Sequence, residues 1–144
     1  RALLKGALPP TVKHPVATLP SGRQVLGIGD AVVLNDPVTG RGANSAAMAA
    51  SVYLRRILER GDAPFDSRWM DDTFEAFYDW AQWGVRFTNV QLQVTPADHI
   101  VQILMAGQHA PAVRKAFVEA FNEPRTAFPW IEDPKAAGTF LGEA

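Results

Sequence analysis

Between Arg23 and Tyr53 the chain reads RQVLGIGDAVVLNDPVTGRGANSAAMAASVY. An apolar run, a lone carboxylate, a proline-glycine loop and an alanine-rich helix start succeed one another, an order suited to holding a large polar ligand. Gln24, Val25, Leu26, Gly27 and Ile28 form a short, mostly apolar run with β-branched residues, bounded by Gly22 and Gly29. This predicts a buried strand. Asp30 follows at its carboxyl end, where ligands sit in layered α/β folds, and a carboxylate there accepts hydrogen bonds from sugar-type hydroxyls. In the loop Asn35-Asp36-Pro37-Val38-Thr39-Gly40-Arg41-Gly42, Pro37 fixes φ, while Gly40 and Gly42 permit positive φ or close approach of a ligand to the backbone.

From about Gly42 the chain turns helical. Ala43, Ala46, Ala47, Met48, Ala49 and Ala50 are strong helix formers, and Val52, Leu54, Ile57 and Leu58 continue an apolar stripe as far as Gly61, the expected C-terminal cap. The first turn of such a helix has backbone N–H groups without intrahelical partners and carries roughly half a positive charge, so it attracts an anion or an electron-rich carbonyl. Asn44 and Ser45 add side-chain hydrogen-bonding capacity beside it.

Together Gly29-Asp30, Pro37, Gly40, Gly42 and Asn44 resemble the second flavin-binding motif of the FAD-dependent aromatic hydroxylase-type monooxygenases, and within them the styrene and indole monooxygenase group. The resemblance implies that Asp30, following Gly29, holds the ribityl hydroxyls of FAD. It also implies that Pro37 shapes the space where flavin meets substrate, that the loop through Gly40 lies against the isoalloxazine ring, and that the N–H groups near Gly42, Ala43 and Asn44 face the pyrimidine edge of the ring. Negative charge on that edge of a reduced flavin is stabilised by a helix N-terminus without any titrating side chain. The family's frequent histidine three residues after the aspartate is replaced by Val33, which removes any inference about a histidine role. Taken singly, each element also suits a plain strand, turn and helix, with Asp30 capping or solvated. The joint spacing favours the motif.

Such enzymes bind the adenine dinucleotide half of FAD through an early strand-turn-helix with G-x-G-x-x-G. No such motif occurs here: Gly27-Ile28-Gly29 lacks the third glycine, and Gly40-Arg41-Gly42 lacks the preceding strand. The chain also opens on Arg1 in mid-pattern, so it reads as the C-terminal part of a longer flavoprotein whose N-terminal part would be its first partner.

The 144 residues suffice for about one domain. A net charge of −1 without blocks of like charge gives no basic face for nucleic acid or anionic membrane. No apolar run approaches the roughly 18–20 residues of a bilayer span. The absence of cysteine excludes disulfides and thiolate ligands and fits a cytoplasmic location. His14, His99 and His109 are dispersed without ligand spacing, so no metal site is expected, and His99 reads as a surface or satisfied histidine. No catalytic triad is defensible, and no catalytic residue is assigned.

Flanking the motif, Val16-Ala17-Thr18-Leu19 and Gln24–Ile28 predict a hairpin around Pro20-Ser21-Gly22-Arg23. Beyond Gly61, Asp66 caps a predicted helix running to about Gln93, on the order of 40 Å at about 1.5 Å per residue. Met70, Phe74, Phe77, Ala81 and Val85 form one stripe on it, and Trp69, Trp80, Trp83 and Phe87 a second. Thr95-Pro96-Ala97-Asp98 predicts a helix start, with Ile100, Val101, Leu104 and Met105 inward. Pro111 opens another helix to about Asn122, with Val113, Phe117, Val118 and Phe121 buried. From Arg125 to Ala144 the prolines and glycines suggest an extended tail anchored by Phe128, Trp130 and Phe140, with one short turn after Asp133-Pro134.

The expected fold is mainly α with a small N-terminal β-hairpin, the C-terminal portion of a larger α/β flavoprotein. Residues 1–61 would complete the FAD-binding domain, and 62–144 would form a helical region with the tail. Uncovered apolar faces would be met by the rest of the protein or by homo-oligomerisation. The resemblance implies FAD-dependent monooxygenation of a small aromatic or apolar substrate, such as epoxidation of an aryl alkene or indole, with FAD bound by the full-length protein and reduced by a separate flavin reductase. The alternatives are a related flavoprotein oxidoreductase and a helical substrate-binding or interaction module with a vestigial flavin motif. Halogenation is disfavoured because Lys5, Lys13, Lys115 and Lys135 all lie away from the motif in sequence.

Overall fold

The computed structural model describes residues 8–143, and the chain divides after Val85 into two compact units. Among the described residues there are five α-helices and two antiparallel two-stranded sheets, so the chain is mainly helical. No helix among them is long and apolar enough to cross a membrane.

The first unit opens with strands β1 (Thr11–Val12), β2 (Val16–Thr18) and β3 (Gln24–Leu26). The hairpin read from the sequence is present as β2 and β3, with Val16 opposite Leu26 and Thr18 opposite Gln24. Its turn is closed by the Leu19 N–H donating to the Arg23 carbonyl at 2.8 Å, and Gly22 supplies the positive φ of 80°. The expected burial of Gln24–Ile28 is not found: the strand ends at Leu26, and Val25 and Ile28 are exposed. β-branched residues specify extended backbone, but burial needs a second layer, and here only Leu26 packs against the core while Val25 and Ile28 face outward.

Asp30 lies on a single 3-10 turn, Gly29–Ala31, rather than directly on the strand end. The chain then forms β4 (Val33–Leu34), which pairs with β1 (Thr11 opposite Leu34, Val12 opposite Val33). This second pair, two residues a side, is too short to leave a period in the sequence. A further 3-10 turn, Pro37–Thr39, leads into α1 (Gly42–Arg60), which stops at Gly61 with φ +58°.

Helix α2 (Ser67–Gln91) starts where the sequence places it, with the Asp66 carboxylate accepting from the Trp69 N–H at 2.8 Å. Its first stripe, Met70, Phe74, Phe77, Ala81 and Val85, is buried throughout. Val32, Val33, Ala49 and Tyr53 complete this core. Phe77 is fully enclosed, edge-on to Tyr53 at 6.4 Å and to Phe74 at 6.2 Å. The predicted inward stripe of α1 is corrected here. Ser45, Ala49 and Tyr53 face the core, whereas Leu54, Ile57 and Leu58 are exposed. An alanine-rich helix carries apolar residues over an arc wider than one buried face, and periodicity alone does not choose which part of it is covered.

The second unit packs Phe87, Ile103, Val113, Ala120, Trp130 and Ile131 into a separate core. Helix α3 (Asp98–Ala106) begins two residues later than the proline suggests, and Ile100 and Ile103 point inward while Val101, Leu104 and Met105 are exposed. Nearly every side of that helix is apolar, so the stripe was ambiguous. Helix α4 (Pro111–Asn122) has the expected bounds, but Val113 and Ala120 are its buried residues. Phe117 is half-buried, and Val118 and Phe121 are exposed. The expected extended tail is instead a 3-10 turn, Pro124–Ala127, and helix α5 (Pro134–Glu143). Pro134 occupies a first-turn position where its missing N–H costs nothing, and the Asp133 carboxylate accepts from the Lys135 N–H at 2.9 Å. Gly138, which looked like a breaker, is exposed on this helix, as is Gly142, and among the described residues no atom lies within 4 Å of where a Cβ would stand at either. Trp130 and Phe140 do anchor the segment, with rings stacked at 4.9 Å.

Candidate functional site

The Gly-Asp turn is held to α1 from two directions. Gly29 has φ +59°, and a Cβ there would sit 3.6 Å from the Ala46 Cβ, so the turn lies directly on the helix. One residue before the turn, Ile28 is extended, and before it the Gly27 N–H donates to the Pro15 carbonyl at 2.8 Å while its own carbonyl accepts from the Tyr53 hydroxyl at 3.0 Å. Gly27 tolerates no side chain, since a Cβ would lie 2.5 Å from the buried Val32 Cγ1. The Asp30 carboxylate is left exposed at the surface of this braced turn.

Tyr53 is a residue that sequence reasoning passed over as one more helix position. Burial pushes its phenol up to about 12, so it remains a protonated donor to Gly27 across the neutral range. Tyr53→Phe is expected to cost about 1 kcal/mol by removing that bond. The raised value also fixes the sign at high pH. The contribution of Tyr53 is intact below the unfolded value of 10.0 and is lost as pH rises through about 12. Urea unfolding between pH 9 and about pH 12 should show this alkaline loss in the parent and less of it in Tyr53→Phe.

The Pro37–Gly40 loop is anchored by Asp36, a carboxylate only 5 % exposed. One oxygen accepts from the Val38 N–H and the other from the Leu8 N–H, each at 2.8 Å. Gly40 closes the turn with φ +64° and its N–H on the Pro37 carbonyl at 2.9 Å. The signal for this was the Asp-Pro pair with a glycine three residues after the proline, a turn signature. Asp36→Ala is expected to cost about 1–2 kcal/mol, read as a lowered thermal midpoint, because two backbone donors lose their acceptor.

Arg41 reaches back from the loop onto α2. Its guanidinium lies 5.9 Å from the centre of the Trp80 ring, and a Cβ on Gly84 would stand 2.8 Å from its Nε. This explains an otherwise costly glycine inside a long helix: Gly84 leaves the groove in which the arginine lies. Gly84→Ala is therefore expected to displace Arg41 from Trp80 with a net stability change under about 1 kcal/mol, because the helix-propensity gain offsets the lost contact. Loss of the Arg41–Trp80 cross-peaks in a nuclear Overhauser spectrum would report the displacement.

Gly42, Ala43 and Asn44 form the first turn of α1, ahead of Ser45, whose N–H donates to the Arg41 carbonyl at 2.9 Å. Ala43 and Asn44 are exposed. Gly42 is informative because its φ is not positive and, among the described residues, no atom lies within 4 Å of where its Cβ would be. Neither backbone conformation nor any described neighbour requires glycine there. The structure thus joins Gly29, Asp30 and α1, and sets Pro37, Gly40 and Gly42 on one anchored loop running into the same helix. Val33, at the family's histidine position, is buried in β4, so it belongs to the core.

The second unit holds a cavity of about 350 Å³ lined by residues that include Arg86, Asn89, Gln93, His99 and Glu132. None of the motif residues lines it. Arg86 and Glu132 form a two-pronged ion pair there, and the His99 Nε2 lies 3.1 Å from the Ile131 carbonyl, making it the satisfied histidine expected.

No family model matches the chain. It is similar to styrene monooxygenase StyA from a Pseudomonas species, 26 % identical over 143 residues, which is 98 % of this chain and 34 % of that protein. The similarity to styrene monooxygenase StyA of Pseudomonas fluorescens has the same identity and extent. The resemblance carried by the motif therefore holds over nearly the whole chain. The chain spans about a third of the length of the curated relatives it matches.

Proposed function

We propose that this chain supplies the ribityl and ring side of the FAD site in a flavin-dependent monooxygenase acting on a small aromatic or apolar substrate. The observation that carries the reading is Gly42, a glycine that no described residue requires, at the start of a helix whose N-cap makes no side-chain capping hydrogen bond. A planar ring can approach the backbone there, and the helix end favours electron density at its edge.

The residues present fit a flavin. Asp30 would accept hydrogen bonds from the ribityl hydroxyls, on a turn fixed by Gly29 against α1 and by Tyr53 through Gly27. Pro37 and Gly40, held by Asp36, would border the space between ring and substrate. The amides of Gly42, Ala43 and Asn44 would meet the pyrimidine edge. When bound, the flavin supplies the oxygen-transfer chemistry, and this chain orients the ring and screens it from water. That division of labour suits a segment in which no acid–base pair is assigned.

The similarity to a styrene monooxygenase supports the choice of an aryl alkene as substrate class, and indole as a second substrate and a separate flavin reductase as electron source rest on the resemblance of the motif alone. The larger FAD-binding fold and its dinucleotide motif would be contributed by polypeptide outside this chain, so the isolated chain is expected to be inactive. Supplying a polypeptide of StyA length carrying this sequence with reduced FAD and oxygen should convert styrene, indole or an aryl sulfide. Failure on all three would remove the monooxygenase assignment.

A further inference from the structure

Arg41 stands between two glycines, Gly40 with φ +64° and Gly42 at the first position of α1. A Gly-Arg-Gly segment has a wide choice of backbone conformations, because glycine loses more freedom on ordering than any other residue. Local preference alone therefore does not set the first turn of α1. Asp36 fixes the loop on its near side, at Leu8 and Val38. On the far side Ala43 and Asn44 are exposed, and the N-cap makes no side-chain capping hydrogen bond. The partly buried Arg41 side chain runs instead over α2. There its Nε, Cδ and Cζ lie 2.8, 3.5 and 3.6 Å from where a Cβ on Gly84 would stand, with Cζ 5.9 Å from the centre of the Trp80 ring. The glycine notch weakens α2 as a helix, and the seat it leaves for the arginine accounts for it. The Arg41 carbonyl meanwhile accepts from the buried Ser45 N–H at 2.9 Å, closing the first turn of α1. One residue thus joins that turn to a second helix.

We infer that Arg41 is a positioning residue for the candidate flavin site, tethering the first turn of α1 to α2 so that the Gly42, Ala43 and Asn44 amides are arrayed before a ligand arrives. Trp80 and Gly84, which belong to neither the motif nor its loop, then govern affinity at that turn through the arginine. A site whose competent arrangement is only fractionally populated binds more weakly in proportion to that fraction. Releasing the tether so that about one conformer in ten remains competent weakens binding about tenfold. The inference rests on the flavin reading for the identity of the ligand, whereas the tether itself is independent of any flavin.

Arg41→Ala, Gly84→Ala and the two combined, made in a polypeptide of StyA length that carries this sequence, test the proposal. Gly84→Ala is the more informative single change, since it displaces a flexible side chain and alters no residue of the loop. Fluorescence titration with FAD should show each single variant weakened about tenfold, while thermal midpoints move little. The combined variant should bind no more weakly than Arg41→Ala alone, because both changes remove the same contact. In the same variants of the 144-residue chain, without flavin, hydrogen exchange of the Ser45 amide should quicken in both single variants. Unchanged FAD affinity in Gly84→Ala would overturn the proposal. Additive losses in the combined variant would overturn it too, since Arg41 would then meet the ligand directly. Absence of FAD binding in the parent would fault the flavin reading alone, and equal Ser45 exchange in parent and variants would overturn the tether whatever the titration showed.

Discussion

Replacing Gly42 by leucine is expected to weaken FAD binding about a hundredfold, on the order of 2.7 kcal/mol, while leaving the fold and its thermal midpoint essentially unchanged. The separation of the two effects is what matters. With no positive φ and no described atom within 4 Å, a side chain at Gly42 meets nothing among the described residues. Leucine is also the better helix former, so the bare fold should gain slightly, by under about 1 kcal/mol. The same side chain would stand in front of the amides of Gly42, Ala43 and Asn44 and keep a ring from reaching them. Fluorescence titration of the long polypeptide with FAD, beside its melting curve, reads both quantities. Unchanged affinity would mean that no ligand approaches this turn.

Phe77→Ala should have the largest effect on stability, about 3–5 kcal/mol. Phe77 is fully buried, and its ring contacts Tyr53, Phe74 and Trp80. Loss of the ring removes transfer energy and leaves a cavity that a helix this long cannot close by local collapse. Against a typical total of 5–15 kcal/mol, that is enough to populate the unfolded state. The damage reaches the candidate site through Tyr53, which leans on Phe77 and holds the Gly27 carbonyl. Phe77→Leu, which refills most of the volume, should recover more than half of the loss in urea unfolding.

Much of the first unit was legible because its signals are local. Asp66 before an aromatic period of 3.6, Gly61 after a run of helix formers, and Pro20 to Arg23 between two β-branched runs each specify a structure within a few residues. The helix bounds of α1 and α4 and the buried stripe of α2 follow from such signals. Burial of the other helices was less legible because it depends on what lies opposite. Helices α1, α3 and α4 carry more apolar residues than one face holds, and the sequence has no record of which face finds a partner. Pro134 and Gly138 misdirected the account of the tail for a related reason: a proline in the first turn and a glycine on an outer face do not interrupt a helix.

At the candidate site the motif residues themselves were visible, but the residues that brace them were not. Tyr53, Asp36 and Gly84 act through contacts 26, 28 and dozens of residues away, between Tyr53 and Gly27, Asp36 and Leu8, and Gly84 and Arg41. Gly84 and the Asp36-Pro37 pair did leave a trace, as an isolated helical glycine and a turn signature. Tyr53 left none, since a tyrosine on a helix is unremarkable until its hydroxyl is seen to reach a carbonyl.

The central claim is that this chain is one side of a flavin site that needs further polypeptide to close. Calorimetric titration of FAD into the 144-residue chain and into a polypeptide of StyA length that carries it tests this most directly. Saturable binding by the long form, abolished or strongly weakened in the short one, is the result expected. Binding by neither would contradict the account and leave the chain an interaction module with a vestigial motif, and equally tight binding by the short chain would contradict the need for a second side.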